Sequence, residues 1–386
     1  MGLFDRFNKQ QPVVVDTPRI GFNDILDTIN LKSIDLPKPI YSRQYDWVLL
    51  GINNSFPQEL IDYKNNSSIH SAIIEGQSRL ISGNGLLFDA TRALSDSWVV
   101  ENFKLVPFWR KLDSVFSMVA RDQTLFGYSC FEVIYSMDRT RIVDINWVDA
   151  SRIACGKKEE GYNEEYYYYS CDWKNIKANP PKKIEGFDPN GEGLKQLVFI
   201  KQDTNSMDYY SLPNYYPALK WIKSDGLMAE YSMSAIQNGF SPSIVFKFYK
   251  KPSPEERRMN AEAIKAQHGG AKNAGKALIF YADGKELAPD VDTLDATNID
   301  ARLLQVSEQI VQQIISAHRC YPALLGIQTP GKLGYSTELL QSWEIYNNMV
   351  IKPERKLILD AFKEILIYNG VSRVSIDELT PIKIIE

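Results

Sequence analysis

One order of elements constrains this chain more than any other feature. Two long runs with apolar residues at helical spacing, Pro217 to Gln237 and Asn298 to Arg319, bracket a compact segment. That segment alternates as a strand over Ser241–Lys250 and returns to a strand over Ala277–Tyr281. Between them Ser253-Pro254-Glu255-Glu256 opens a helix, with proline at its first position and acids in its first turn. The second long helix carries Leu303, Val306, Ile310, Ile314 and Ala317 on one stripe. A loop rich in Gly, Pro and Thr follows, and then a helix from Thr337 to Asn369, with Pro353 in its middle and Gly370 at its end. A mid-helix proline removes a backbone hydrogen bond and clashes with the preceding turn, at roughly 3 kcal/mol, so a kink is predicted between Met349 and Pro353.

The first half reads as mixed α and β. Residues 1–18 form a polar arm with Leu3, Phe4 and Phe7 on one helical face, and 19–66 read as loop-rich, punctuated by Pro37, Pro39 and Pro57. Ser68 to Ser82 is a predicted helix with Ile69, Ala72, Ile73, Leu80 and Ile81 inward, Ser67 or Ser68 as its cap, and Gly83-Asn84-Gly85 as its stop. Pro107 to Gln123 is a second helix. After Gly127 the period shortens, and Tyr128–Tyr135, Ile142–Val148, Arg152–Gly156, Tyr166–Tyr169 and Leu197–Lys201 read as strands, interrupted by a Pro/Gly/Lys-rich loop at 176–194. Val374–Ile376 and Ile382–Ile385 are candidate closing strands. The fold class expected is α+β.

Composition sets outer limits. With 386 residues, 44% hydrophobic and 24% charged, the chain has the makings of a folded core and not of a disordered or disulfide-stapled one. Forty-four basic residues against 48 acidic ones give a net charge of -4, so the chain as a whole is not built to grip DNA by its phosphates. The four cysteines show no CxxC pair, and His70, His268 and His318 stand far apart, so neither a disulfide framework nor a metal site is expected. No run of apolar residues is long enough for a transmembrane helix. The opening MGLFDRFNKQQPVVV has no signal-peptide core, and Arg6 stands where myristoylation wants Ser or Thr, so a cytoplasmic start is expected.

Motifs that tempt toward catalysis are each degenerate. Gly270 to Lys276 matches GxxxxGK, but Ala277 stands where Ser or Thr should hold magnesium. A helix precedes it and a strand follows, the reverse of a phosphate-binding loop. Asp290, Asp292 and Asp295 resemble half a calcium loop, with Leu294 at a ligand position. The pairs Glu159-Glu160 and Glu164-Glu165 point to opposite faces of a strand and read as solvated charges. Tyr166–Tyr169 fits a tyrosine-rich strand better than a base-stacking platform. With no GxSxG, no HExxH and no close Ser/His/Asp group, no catalytic residue, cofactor or metal is assigned and no enzyme is expected.

Several stretches in order resemble the portal proteins of tailed, long-tailed-type bacteriophages. They are MGLFDRF, SIHSAIIEGQSRLISGNGL, DQTLFGYSCFEVIYSMDRTRIVDINWVDASRI, QNGFSPSIVFKF with GGAKNAGKALIF, and AHRCYPALLGIQTPGKLGYSTELLQSWEIYNNMVIKPERKLI. The resemblance covers about residues 1–370 and rests on the order of these stretches, none of which is diagnostic alone. It implies a dodecameric ring at one capsid vertex, through which double-stranded DNA enters and leaves. It implies as partners further copies of the chain, the terminase packaging ATPase, the major capsid protein and the head–tail adaptor, with no membrane, and a place in the virion after assembly in the host cytoplasm.

The same resemblance maps the chain. It implies an arm at 1–18, a wing at 19–215, stem helices at 216–239 and 295–320, a clip at 240–294, a tunnel loop at 321–336, a kinked helix at 337–370, and a reduced crown or closing strands at 371–386. The loop 321–336 carries a single charge, Lys332, so Gln328, Thr329 and Lys332 are the expected DNA-facing residues. Over 241–285 nine basic residues face four acids, a net of +5. This suggests a basic collar with Lys247, Lys250, Lys251, Lys272 and Lys276 for an acidic partner or DNA, against a plain solvated surface. The competing readings are another head–tail connector or adaptor component and, on the degenerate GxxxxGK alone, a nucleotide-binding enzyme.

Overall fold

A strand eight residues long, buried on both faces, organises the large sheet. This is β4 (Tyr128–Tyr135), which pairs antiparallel with β5 (Ile142–Trp147) on one side and β9 (Lys195–Lys201) on the other. Phe131, at its middle, lies opposite Trp147 and Val198. The computed structural model describes residues 37–41, 44–88, 107–158, 165–205, 207–237, 245–248, 253–256, 258–260, 278–281, 296–325, 336–371 and 374–376.

The full sheet adds β1 (Pro39–Tyr41), β2 (Trp47–Leu50), β6 (Ile153–Gly156), β7 (Tyr166–Tyr169) and β8 (Lys182–Gly186), in the order β1-β2-β6-β7-β8-β9-β4-β5. All pairs are antiparallel except β8 with β9. One face of β4 meets helices. Phe362 of helix α7 (Lys352–Tyr368) wedges between Phe131 at 4.7 Å and Phe116 at 5.0 Å, ring centre to ring centre. Phe116 belongs to α3 (Pro107–Phe126). The other face is aromatic: Tyr128 stacks on Phe199, Phe199 on Tyr167, and Tyr210 leans on Tyr128. The fully buried rings among these, Phe116, Phe131, Phe362, Tyr128 and Tyr210, each contribute about 1.5–3 kcal/mol by leaving water. Tyr167 and Tyr168 are therefore core residues of the sheet, as a strand rich in tyrosine leads one to expect.

Helix α2 (Ser68–Ser82) runs between the ends read from the sequence. Ser67 Oγ accepts the His70 N–H at 3.2 Å, and Gly83 closes the helix with φ 60°. Other segments differ from the sequence reading. The 19–66 region contains β1, β2 and helix α1 (Ser55–Asn66), and Pro57 sits in the first turn of α1, where its missing N–H has no intrahelical partner to lose. The 176–194 loop contains β8, a charged strand that exists because β7 and β9 offer it backbone partners. Two three-residue strands, β3 (Leu86–Phe88) and β12 (Val374–Ile376), pair across nearly the whole chain.

The long helices α4 (Leu219–Gln237) and α5 (Ala296–Ala317) pack on each other. The predicted stripe of α5 divides. Ile310 and Ile314 are buried, while Val306 and its neighbour Leu304 remain 43% and 64% exposed. Between these helices β10 (Val245–Phe248) and β11 (Leu278–Tyr281) pair in parallel, with Lys247 opposite Phe280. Ser253 and Glu256 cap the intervening helical turn reciprocally, Ser253 N–H to Glu256 Oε2 at 2.9 Å and Glu256 N–H to Ser253 Oγ at 3.3 Å.

Many residues singled out from the sequence lie outside the described residues. These are Lys250, Lys251, Lys272 and Lys276, the GxxxxGK segment 270–276, the acids 290–295, Glu159, Glu160 and Glu164, the arm 1–18, the strand 382–385, and Gln328, Thr329 and Lys332.

Candidate functional site

The predicted 337–369 helix is three pieces. Helix α6 (Ser336–Tyr346) passes into a π-turn over Asn347–Ile351, and α7 begins at Lys352. In an unbroken α-helix Pro353 would face the Met349 carbonyl with a ring and no donor. Here the Lys352 N–H reaches back five residues to the Asn347 carbonyl. One wide turn thus absorbs the register change that the proline demands; it spans 347–351, starting two residues before the 349–353 stretch where the sequence predicts a kink and overlapping it.

Around this break the chain gathers polar side chains that are dispersed in sequence. A cavity of about 200 Å³ lies beneath it, lined by Gln77 of α2, Gln202 and Asn214 from the β9–α4 connection, His318 and Arg319 at the end of α5, and Pro353 with Glu354. Glu354 accepts from Gln202 Nε2 at 3.1 Å and Asn214 Nδ2 at 2.7 Å, both on Oε1. Burial raises its carboxyl above the usual range, while those two hydrogen bonds and the charge of Arg319 pull it down. The next residue, Arg355, is also buried and donates from Nε to the Ile81 carbonyl at 3.1 Å and from Nη2 to the Leu80 carbonyl at 2.7 Å. It answers the free carbonyls at the end of α2 and so pins α7 to α2.

The histidines that look isolated in sequence are partners. His70 Nδ1 and His318 Nε2 lie 2.9 Å apart, sharing one proton between α2 and the end of α5. Tyr215 packs on both rings, at 4.5 and 4.9 Å, and its hydroxyl donates to the Leu125 carbonyl. Burial holds both imidazoles neutral, His70 down to about 2 and His318 to about 3, with the neighbouring ring adding to the effect on His70. Among the described residues His70 Nε2 has no partner, so it is best the bare acceptor, with Nδ1–H donating to His318.

The turn that joins α3 to β4 completes the junction. Gly127 has φ 81°, and a Cβ there would lie 2.5 Å from the Leu212 backbone. Its carbonyl accepts from Gln123 Nε2 and from Ser211 Oγ. Nearby, Asp122 is buried under the β5–β6 corner, accepting from Trp147 Nε1 at 2.8 Å and the Ala150 N–H at 3.4 Å. Burial pushes its carboxyl up to about 7.

Of the junction's titratable groups, Glu354, Arg355, His70, His318 and Asp122 are buried and engaged with neutral partners or with each other, whereas Arg319 is exposed, and among the described residues no group of three or more His, Cys, Asp or Glu could hold a metal. Among the described residues, too, no helix is long and apolar enough to cross a membrane. Nothing in local sequence marked His70 with His318, or Glu354 with Gln202 and Asn214, since 248, 152 and 140 residues separate them. The one local pointer was Pro353.

No family model and no curated protein matches the chain. Solved structures do. The chain is similar at 14% identity to one in the virion of a native gene transfer agent particle, covering 88% of this chain and 85% of that one with a TM-score of 0.52. It is similar at 14% identity to one in the neck of an empty gene transfer agent particle computed with C6 symmetry, with coverage of 89% and 87% and a TM-score of 0.54. A third, in the neck of a native particle computed with C12 symmetry, matches at 14% identity with coverage of 86% and 83% and a TM-score of 0.52. At this identity the likeness defines the fold: an α+β chain with the architecture of a component of such particles, matched over nearly its whole length.

Proposed function

We propose that this chain is a virion portal protein, a ring-forming conduit for double-stranded DNA with no catalysis or cofactor of its own. The observation that carries the reading is the state of α4 and α5. Their ends toward the wing are buried, whereas Leu227, Tyr231 and Met233 of α4 and Leu304 and Val306 of α5 stay exposed toward the strand insert. Paired helices with uncovered apolar flanks suit side-by-side packing in a closed ring, where each copy presents one flank to each neighbour. The likeness to chains of virion and neck structures, two of them computed with six-fold or twelve-fold symmetry, supports a ring in the neck of a particle.

On this reading the wing contacts the major capsid protein, and the basic insert, with Lys247, Lys250, Lys251, Lys272 and Lys276, meets the packaging ATPase and then the head–tail adaptor. Gln328, Thr329 and Lys332 line the channel next to passing DNA. A single cation there slows DNA little, since each phosphate contact adds to a salt-dependent grip. The second reading, a different connector of the neck, is favoured only by the breadth of the neck likeness. Negative-stain imaging and native mass measurement of the purified chain test the proposal. Twelve chains of 44.1 kDa give a ring of about 530 kDa with a central channel. A monodisperse monomer at micromolar concentration defeats it, and a ring that binds a separate portal but no packaging ATPase favours the other connector.

A further inference from the structure

A carboxylate taken out of water is kept where hydrogen bonds or a cation offset the lost hydration. Glu354, only 7% exposed, has half of that provision. Both of its donors, the Gln202 and Asn214 amides, go to Oε1, and among the described residues Oε2 receives no hydrogen bond and Glu354 makes no ion pair. Arg319, exposed at the rim, acts on it through charge alone. Each of the two amides keeps a carbonyl oxygen with no hydrogen bond among the described residues. Gln77 is the second, separate observation. It is 6% exposed, lines the same cavity, and its amide has no hydrogen-bond partner among the described residues.

We infer that the cavity beneath the helix break is a binding site for a hard cation, alkali or alkaline-earth, held by the Glu354 carboxylate and the amide oxygens of Gln77, Gln202 and Asn214. The donors are all oxygens, the chemistry that suits such ions and not the softer transition metals. The volume of about 200 Å³ leaves room for the ion with several waters at about 30 Å³ each, so a single carboxylate is enough, as it is for ions that keep part of their hydration shell. An anion is disfavoured, because it would enter against a buried carboxylate, whereas Arg319, the cation in the same lining, is exposed and its charge is screened by solvent. A bound cation would bridge α7, just past the π-turn, to α2 and to the β9–α4 connection, fastening the helix break to the wing. This inference is independent of the portal reading.

The test uses the full chain in its native assembly, exchanged into choline chloride. Mg²⁺, Ca²⁺, Na⁺ and K⁺ are titrated in separate calorimetric arms at constant ionic strength. Saturable binding of one ion per chain is expected in at least one arm, and the responding arm identifies the ion class. Glu354→Gln, which keeps the shape and removes the charge, is expected to weaken that binding tenfold or more. Gln77→Leu, which leaves the carboxylate in place, is expected to weaken it several-fold. No saturable binding in any arm, or Glu354→Gln binding as the wild type does, means a cavity that holds water alone and overturns the inference. Should Glu354→Gln fail to fold, Gln77→Leu decides, and unchanged affinity in that variant overturns the inference equally.

Discussion

Acidification pulls on this fold from two sides, and Asp122→Asn separates them. His70 and His318 are held neutral in the fold, to about 2 and 3, against 6.5 for a free imidazole. Their contribution is whole above 6.5 and is lost as pH falls below it, because the unfolded chain then binds protons that the fold refuses. From pH 7.5 to 5.5 the pair together costs roughly 3 kcal/mol, a figure insensitive to how low the folded values lie. Asp122 acts in the opposite direction. Its folded value of about 7 stands above the unfolded 3.8, so its contribution is present at low pH and is lost as pH rises through 7. Over the same interval it returns roughly 2 kcal/mol. Glu354, also raised, adds to that side. The wild type should therefore lose less than about 1 kcal/mol between pH 7.5 and 5.5 from these groups, because the opposing effects nearly cancel.

Asp122→Asn keeps an oxygen to accept from Trp147 Nε1 and removes the proton site, so its stability should fall by roughly 2 kcal/mol more than the wild type's over that range. The assay is urea unfolding followed by tryptophan fluorescence at the two pH values, at fixed ionic strength and protein concentration. Parallel profiles for the two proteins would refute the reasoning, showing that Asp122 does not gain its proton in the fold.

Three further expectations concern the frame around the junction. Gly127→Ala forces a side chain onto the Leu212 backbone at positive φ and should cost about 3 kcal/mol or more, read as a fall in the urea midpoint at unchanged slope. Pro353→Ala should change stability by less than about 1 kcal/mol, because the π-turn already relieves the proline; a gain near 3 kcal/mol would show that the full clash remains. Leu304→Glu with Val306→Glu, both on the exposed flank of α5, should leave the monomer folded and abolish rings on grids and in native mass spectra; intact rings would remove this flank from the interface.

Much of the frame was legible in residue order because its rules are local. Ser67, the apolar face of 68–82 and Gly83 mark a helix by capping, spacing and a positive-φ stop, each within one turn of the residue concerned. β4 was visible for the same reason, an apolar, aromatic run after a glycine turn. Pro57 misled because one residue type marks both a loop and the first turn of a helix, and only the packed α1 tells them apart. β8 was invisible because Lys182, Lys183 and Glu185 carry no strand pattern, and the strand owes its existence to backbone partners on either side.

By itself, then, the sequence determined the long helices, the two strands between them, the break demanded by Pro353 and the α+β class, since each follows from dihedral preference and the burial of one face. Tertiary structure alone decided which distant groups meet: His70 with His318, Glu354 with Gln202 and Asn214, β3 with β12. No spacing rule reaches across 140 residues or more. A buried polar group takes whichever partner the packed helices and sheet bring within 3 Å, because leaving it unpaired costs about 1–3 kcal/mol.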